Sequence, residues 1–138
     1  MTMARCALWA LLLIAPTTAL AWSGEGAPAA DSATRSVQER EIAALIAGLG
    51  ASGCEFQRNG SWHDAAAARD HLQRKYDYLR RRDKSFMQAP SAERFIERAA
   101  SRSSMTGQAY QVRCPGRAVE PAADWFDHRL QVFRAQSN

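Results

Sequence analysis

The chain has 138 residues, of which 46% are hydrophobic and 23% charged, and its formal net charge is +4. This length suits one domain with a substantial core and gives no reason to expect a second domain. The basic residues are interspersed with acidic ones, so the charge is too mild and too mixed to indicate nucleic-acid binding.

The first residues form a targeting segment. One positive charge at Arg5 precedes the apolar run CALWALLLIA, which is followed by Pro16 and the small-residue pattern at residues 19–21. This arrangement predicts a signal peptide over residues 1–21, cleaved after Ala21. The apolar run is roughly 10 residues long, about half of what a spanning helix needs, so we expect no membrane span after cleavage. Residues 22–35 are rich in Ala, Gly, Ser and Pro and predict a flexible leader before a single globular domain at residues 36–135.

Cleavage would remove Cys6 and leave Cys54 and Cys114 in an exported chain. We therefore expect a Cys54–Cys114 disulfide, closing a loop of about 60 residues and contributing about 4 kcal/mol in the chain-entropy estimate. A metal site is a weaker alternative because two thiols do not make a full set of ligands. With two cysteines so far apart, a redox Cys-x-x-Cys motif is excluded.

Helical periodicity predicts four helices, and a start signal precedes each of them. Ser36 and Glu39 have the form of a capping box, Asp64 and Ser91 are N-cap residues, and Pro121 suits a first helical position. The predicted helices cover residues 37–49, 65–82, 91–101 and 121–135. Their core-facing residues are Ile42, Leu45, Ile46 and Leu49, then Ala68, Leu72, Tyr76 and Leu79, then Phe95, Ile96, Ala99 and Ala100, and finally Trp125, Phe126, Leu130 and Phe133. Residues 83–90 break the periodicity and predict a loop that covers Phe86 and Met87.

Two short segments alternate as strands do. Residues 54–58 precede the turn signal Asn59-Gly60, and residues 110–114 have the same alternation. If Cys54 lies near Cys114 in an antiparallel pair, Phe56 falls opposite Val112 and Arg58 opposite Tyr110, where Arg58 could form a cation–π pair worth about 1 kcal/mol. The sequence thus predicts an α+β fold, in which about four helices pack on a short two-stranded antiparallel ribbon.

Four separated motifs resemble one known family. They are Phe56-x-Arg58-Asn59-Gly60, Ala68-x-x-His71-Leu72-x-x-Lys75, Ala92-Glu93-x-Phe95-Ile96 and Ser103-Ser104-x-Thr106-Gly107-x-x-Tyr110. Together, over residues 36–134, they resemble the YfeK-like family of small exported bacterial proteins, a domain of unknown function. The resemblance implies a periplasmic protein, and it implies no activity and no catalytic residue.

The polar residues of these motifs predict a binding site, because antiparallel pairing brings both strand ends to the same end of the ribbon. The candidate binding residues are Arg58, Asn59, His71, Lys75, Ser103, Ser104, Thr106 and Tyr110. Cationic and hydroxyl donors suit a carboxylate, a phosphate or a glycan. We therefore expect a non-catalytic periplasmic binding or envelope-interaction module whose partner is an anionic or polar small molecule, a glycan or an envelope protein. A separation of more than about 15 Å between Arg58 and both His71 and Ser104 would contradict a single site.

Two other interpretations stay open. In a small hydrolase, Ser103 or Ser104 would be the nucleophile and His71 the base, although no Gly-x-Ser-x-Gly or comparable signature is present. In a purely structural role, the same residues form turns and caps, and His71 bonds a backbone carbonyl. The histidines are scattered without acidic neighbours at ligand spacing, so we expect no metal and no cofactor. Trp62 and His63 either stack on a ligand or pack on the ribbon.

Overall fold

The computed structural model describes residues 27–137, which form five α-helices and a four-stranded antiparallel sheet. In chain order the elements are α1 (Ala27–Gly50), β1 (Glu55–Arg58), β2 (Ser61–His63), α2 (Ala65–Arg82), α3 (Lys84–Gln88), α4 (Ala92–Phe95), a π-helical turn (Ile96–Ala100), β3 (Gln111–Arg113), β4 (Glu120–Pro121) and α5 (Ala122–Ser137). The predicted signal peptide lies outside the described residues. None of the helices described is long and apolar enough to cross a membrane.

Helix α1 begins earlier than its apolar pattern predicts. It starts at Ala27, and the Ser36 hydroxyl donates to the Ala33 carbonyl at 2.7 Å inside the helix, so the predicted capping box is wrong. Residues 30–40 are largely exposed, and the first buried residues of the helix are Glu41 and Ile42. An exposed helical segment needs no apolar stripe, and alanines give this one high helix propensity. The predicted leader is therefore helical from Ala27 onward.

Helix α2 has the predicted bounds. The Asp64 carboxylate accepts a hydrogen bond from the Ala67 amide at 2.7 Å, which caps the helix. The four residues of its predicted core stripe, Ala68, Leu72, Tyr76 and Leu79, are all buried. The predicted loop after α2 contains the short helix α3 instead, because Asp83 both ends α2 and caps α3, accepting from the Phe86 amide at 2.9 Å. Phe86 is fully buried, as expected.

The last two predicted helices differ from the structure at their ends. The Ser91 hydroxyl oxygen accepts from the Arg94 amide at 3.1 Å, and the helix continues into the π turn, where the Ser101 hydroxyl donates to the Ile96 carbonyl at 2.6 Å. Helix α5 begins at Ala122 and not at Pro121, because residues 120–121 pair with β3 as strand β4. Trp125, Phe126 and Leu130 are buried as predicted, whereas Phe133 is partly exposed.

The predicted ribbon is the centre of a larger sheet with strand order β2-β1-β3-β4. Phe56 lies opposite Val112, as predicted, and Cys54 is disulfide-bonded to Cys114. The additional strands were missed because β2 has three residues and β4 has two. Asn59 and Gly60 have positive φ angles of 50° and 83°, so they form the tight turn between β1 and β2.

The core lies between one face of the sheet and the helices. Phe56 and Val112 are buried. The centroid of the Phe56 ring lies 5.1 Å from that of the Tyr110 ring and 6.3 Å from that of the Phe126 ring. On the other side of the helical layer, Arg134 of α5 binds the buried Glu41 of α1 at 2.6 Å and Glu93 of α4 at 2.7 Å. These ion pairs join α1, α4 and α5 to one another. The end of β1 lies beside α2.

Candidate functional site

The contact between β1 and α2 is made by Arg58 and His71. Arg58 is the last residue of β1, and its Nη1 lies in hydrogen-bond contact with Nδ1 of His71. A guanidinium group only donates, so Nδ1 accepts and the neutral ring carries its proton on Nε2. Nε2 lies 3.5 Å from the Tyr110 hydroxyl oxygen. The contact therefore fixes His71 as a donor at Nε2.

His71 is held in its neutral form. Burial, together with the positive charges of Arg58 and Lys75, lowers the pKa of His71 from 6.5 to about 4. A second proton on Nδ1 is disfavoured, because it would point at the Arg58 guanidinium, which cannot accept a hydrogen bond. At neutral pH the imidazole is therefore a neutral donor between two cations.

Lys75 lies one helical turn beyond His71 and covers Tyr110. Its Nζ donates to the Arg102 carbonyl at 3.0 Å, lies 3.5 Å from the Tyr110 hydroxyl oxygen and lies 5.1 Å from the Tyr110 ring centroid. The expected cation–π pair of Arg58 with Tyr110 is thus wrong: the cation over this ring is Lys75, and Arg58 contacts His71. Burial, and then the charge of Arg58, lowers the pKa of Lys75 to about 8, so the ammonium is still charged at neutral pH.

The loop between the π turn and β3 closes over the end of β1. The Thr106 hydroxyl donates to the Asn59 side-chain oxygen at 3.3 Å, which joins this loop to the β1–β2 turn. Ser103 is buried, and its Oγ accepts hydrogen bonds from the amides of Met105 and Thr106, both at 3.3 Å. Ser103 thereby holds the loop in shape, while Ser104 beside it is exposed.

A cleft of about 880 Å³ runs between α2 and this loop, and we call it the α2 cleft. Its lining residues are His71, Arg74, Lys75, Tyr78, Leu79 and Asp83 on one wall and Glu97, Arg98, Arg102, Ser103, Ser104 and Gly107 on the other. The first five recur at helical spacing and share one face of α2, and Asp83 follows directly after the end of this helix.

The predicted site residues do come together in space, and they divide into two groups. His71, Lys75, Ser103 and Ser104 line the α2 cleft. The other four, Arg58, Asn59, Thr106 and Tyr110, are outside its lining, and they support His71, Lys75 and the loop. Their proximity is a structural fact, whereas their role in binding remains a prediction.

Sequence reasoning missed several residues of the cleft. Arg74 and Tyr78 each lie three positions after a predicted site residue, so helical spacing was the signal that could have found them. Arg102 lies in a polar run, and its place opposite Lys75 depends on how the loop folds back. Trp62 lies on β2 with the Arg113 guanidinium 4.3 Å from its ring centroid, so one ring face is already covered.

The charges of the α2 cleft are unevenly balanced. Arg98 is paired with Asp83 at 2.5 Å. By contrast, Arg74, Lys75 and Arg102 have no carboxylate partner anywhere in residues 27–137. The end of the cleft near His71 therefore carries uncompensated positive charge.

The geometry does not assemble a hydrolase dyad. Nδ1 of His71 faces Arg58 and Nε2 faces the Tyr110 hydroxyl. No serine hydroxyl hydrogen-bonds His71 in the part of the chain that the structure describes, and the Ser103 oxygen is already engaged by backbone amides. The same part of the chain contains no group of three or more metal-ligating side chains.

The fold and the site define a small α+β domain that is cross-linked by one disulfide. It carries a basic cleft beside α2. The chain belongs to a family of unknown function, DUF5329, which matches residues 36–134. The match includes the whole sheet and every residue of the α2 cleft. No curated protein and no solved structure shows significant similarity to the chain. The YfeK-like label and the export that it implies remain predictions.

Proposed function

We propose that the protein is a non-catalytic binding module that holds an anionic group at the basic end of the α2 cleft. The observation that supports this most directly is the placement of Lys75 and Arg74 on one wall of the cleft and of Arg102 on the other, all without carboxylate partners in the described part of the chain. Lys75 is partly buried, so its charge is costly without such a partner, whereas Arg74 and Arg102 are exposed and add to the positive potential around it. A bound anion would supply the missing negative charge.

The donors at this end suit an oxyanion. Lys75 supplies an ammonium group, Arg74 and Arg102 supply guanidinium groups, and the exposed Ser104 supplies a hydroxyl. A carboxylate or phosphate accepts from all three kinds of group. Arg58 acts as a positioning residue, because its contact with Nδ1 keeps the His71 proton on Nε2.

Proton uptake should accompany anion binding. An anion close to Lys75 favours the ammonium form and raises its pKa above about 8, and the same charge raises the pKa of His71 above about 4. Binding should therefore become tighter as the pH falls from about 8 towards neutrality.

The disulfide supports a role in an oxidising compartment, since such bonds persist in exported proteins. Together with the predicted signal peptide, it supports a periplasmic binding or envelope-interaction role for this module.

The experiment is a titration of the protein with inorganic phosphate, followed by NMR shifts of the His71 ring and of the Lys75 side chain. Lys75→Met should weaken phosphate binding about tenfold, which is the loss of one charged contact. The matched control is Lys84→Met, which removes an exposed lysine on α3.

Equal effects of the two lysine substitutions would contradict the proposal, and so would the absence of any phosphate-dependent shift at His71 or Lys75. If Lys75→Met lowers the melting temperature and phosphate does not bind the wild-type protein, the purely structural interpretation is correct.

A further inference from the structure

The α2 cleft has ends of opposite charge. Its basic end contains Arg74, Lys75 and Arg102. At its other end Arg98 pairs with Asp83, and Glu97 has no ion-pair partner among residues 27–137. Among the lining residues, one end of the cleft therefore has three cations without carboxylate partners, and the other end has one carboxylate without a cationic partner.

The two ends are a measurable distance apart. Lys75 at the basic end and Asp83, the residue that ends α2, are eight positions apart, and at about 1.5 Å for each helical residue this gives about 12 Å. The walls run antiparallel, because Lys75 contacts the Arg102 carbonyl while Asp83 contacts Arg98 further along. An extended chain advances about 3.3 Å per residue, so a segment of about five residues, with about four steps between its first and last residue, spans this distance.

Between the charged ends the wall is less polar. Tyr78 is 62% exposed and Leu79 lies beside it on the same wall. An exposed tyrosine ring offers an apolar face to a ligand side chain. The middle of the cleft thus suits an uncharged or apolar residue.

The charge order selects the class of ligand. A polyanion would bring negative charge against Glu97, and a neutral glycan would leave both charged ends without partners. A polypeptide can carry a carboxylate at one end and a basic side chain about five residues away. We propose that the α2 cleft binds the carboxyl-terminal segment of an extended peptide, with its terminal carboxylate at Lys75 and a basic side chain at Glu97. This inference rests on the proposed function and specifies its ligand.

The test compares two acetylated pentapeptides of the same composition, both with a free carboxyl terminus. One has lysine first and glutamate last, with three small apolar residues between, and the other has this order reversed. Isothermal titration calorimetry should give about tenfold tighter binding for the lysine-first peptide. Amidation of its carboxyl terminus should weaken binding by a similar factor.

Substitution of the acidic end provides the second measurement. Glu97→Gln should remove most of the preference between the two peptides and leave phosphate binding unchanged, because Glu97 lies at the far end from Lys75. The control is Glu39→Gln, which changes an exposed carboxylate on α1 and should keep the full preference.

The outcomes separate this inference from the function on which it rests. If phosphate binds at Lys75 but the two peptides bind equally, the peptide inference is wrong and the anion site stands. If neither phosphate nor any of the peptides perturbs His71 or Lys75, both are wrong. A preference that survives Glu97→Gln unchanged would also overturn the inference.

Discussion

Acidification should destabilise the protein through His71. In the folded state the pKa of this ring is lowered from 6.5 to about 4, mainly by burial and then by the charge of Arg58. Between these two values the unfolded chain binds a proton that the folded chain does not. The contribution of the neutral ring is therefore complete above pH 6.5 and is lost as the pH falls towards 4.

The magnitude follows from the size of the pKa shift. At about 1.36 kcal/mol per pKa unit, the full shift would correspond to about 3 kcal/mol. His71 is only partly buried, and solvent screening reduces this figure. We expect a loss of about 1 to 2 kcal/mol in the free energy of unfolding between about pH 7 and about pH 4.5 that is specific to His71.

The assay is urea denaturation of the wild type and of His71→Gln at both pH values, in buffers without phosphate. Glutamine keeps an oxygen that accepts from Arg58 but does not titrate, so the variant should lose less stability on acidification than the wild type. His128→Gln, which removes an exposed histidine on α5, is the matched control. An NMR titration that gives His71 a pKa of 6.5 or more, or equal losses for wild type and His71→Gln, would refute the reasoning.

Three further predictions concern stability and can be checked by chemical denaturation. Replacing Cys54 and Cys114 together by alanine should cost about 2 to 4 kcal/mol, since the bond closes a loop of 60 residues, and a loss below about 0.5 kcal/mol would contradict this. Gly60→Ala should destabilise by about 1 kcal/mol because Gly60 has a φ of 83°, whereas Gly48→Ala, in helix α1 with no heavy atom near the added carbon, should stabilise by about 0.5 to 1 kcal/mol. If both glycine variants were stabilised, or both destabilised, backbone conformation would not be what decides the change in stability. Glu41→Ala should cost about 1 to 3 kcal/mol, since it breaks a bidentate ion pair at a buried carboxylate, and a change under about 0.5 kcal/mol would show that the pair contributes little.

Local signals predicted the elements that carry both a cap and a buried stripe. Asp64 and the spacing from Ala68 to Leu79 were enough to predict the bounds of α2, because the cap and the buried stripe both lie in one short segment of the chain. The register of β1 and β3 followed from the two cysteines, since a bond between them leaves one alignment for Phe56 and Val112. These features depend on short-range chemistry or on a covalent constraint.

The missed elements lack such signals. Residues 30–40 of α1 are largely exposed and have no apolar period, and strands β2 and β4 are too short for alternation to be recognised. Pro121 suggested a helix start, but pairing of residues 120–121 with β3 took precedence. In each case contacts between residues far apart in the chain decided the structure. The pattern of neighbouring residues in the sequence does not show such contacts.

The sequence predicted which residues form the candidate site, but it did not predict how their side chains are arranged. Sequence spacing placed His71 and Lys75 on one helical face and brought Arg58 near them. It did not show that Lys75 would cover Tyr110 or that Arg58 would bond His71, because both depend on side-chain rotamers at the junction of β1 and α2. Arg102 was likewise hidden, because its position follows from the return of the loop towards α2.

The π turn at Ile96–Ala100 also sets the direction in which the residues just after it point. A π turn contains about one residue more than the α-helical turn that it replaces. Removing one residue from it would restore α-helical winding and rotate the next positions by about 100°. Arg102 would then no longer oppose Lys75 in the same way, although every side chain of the basic end would still be present. One wall of the cleft thus depends on the number of residues in this turn as much as on their identity.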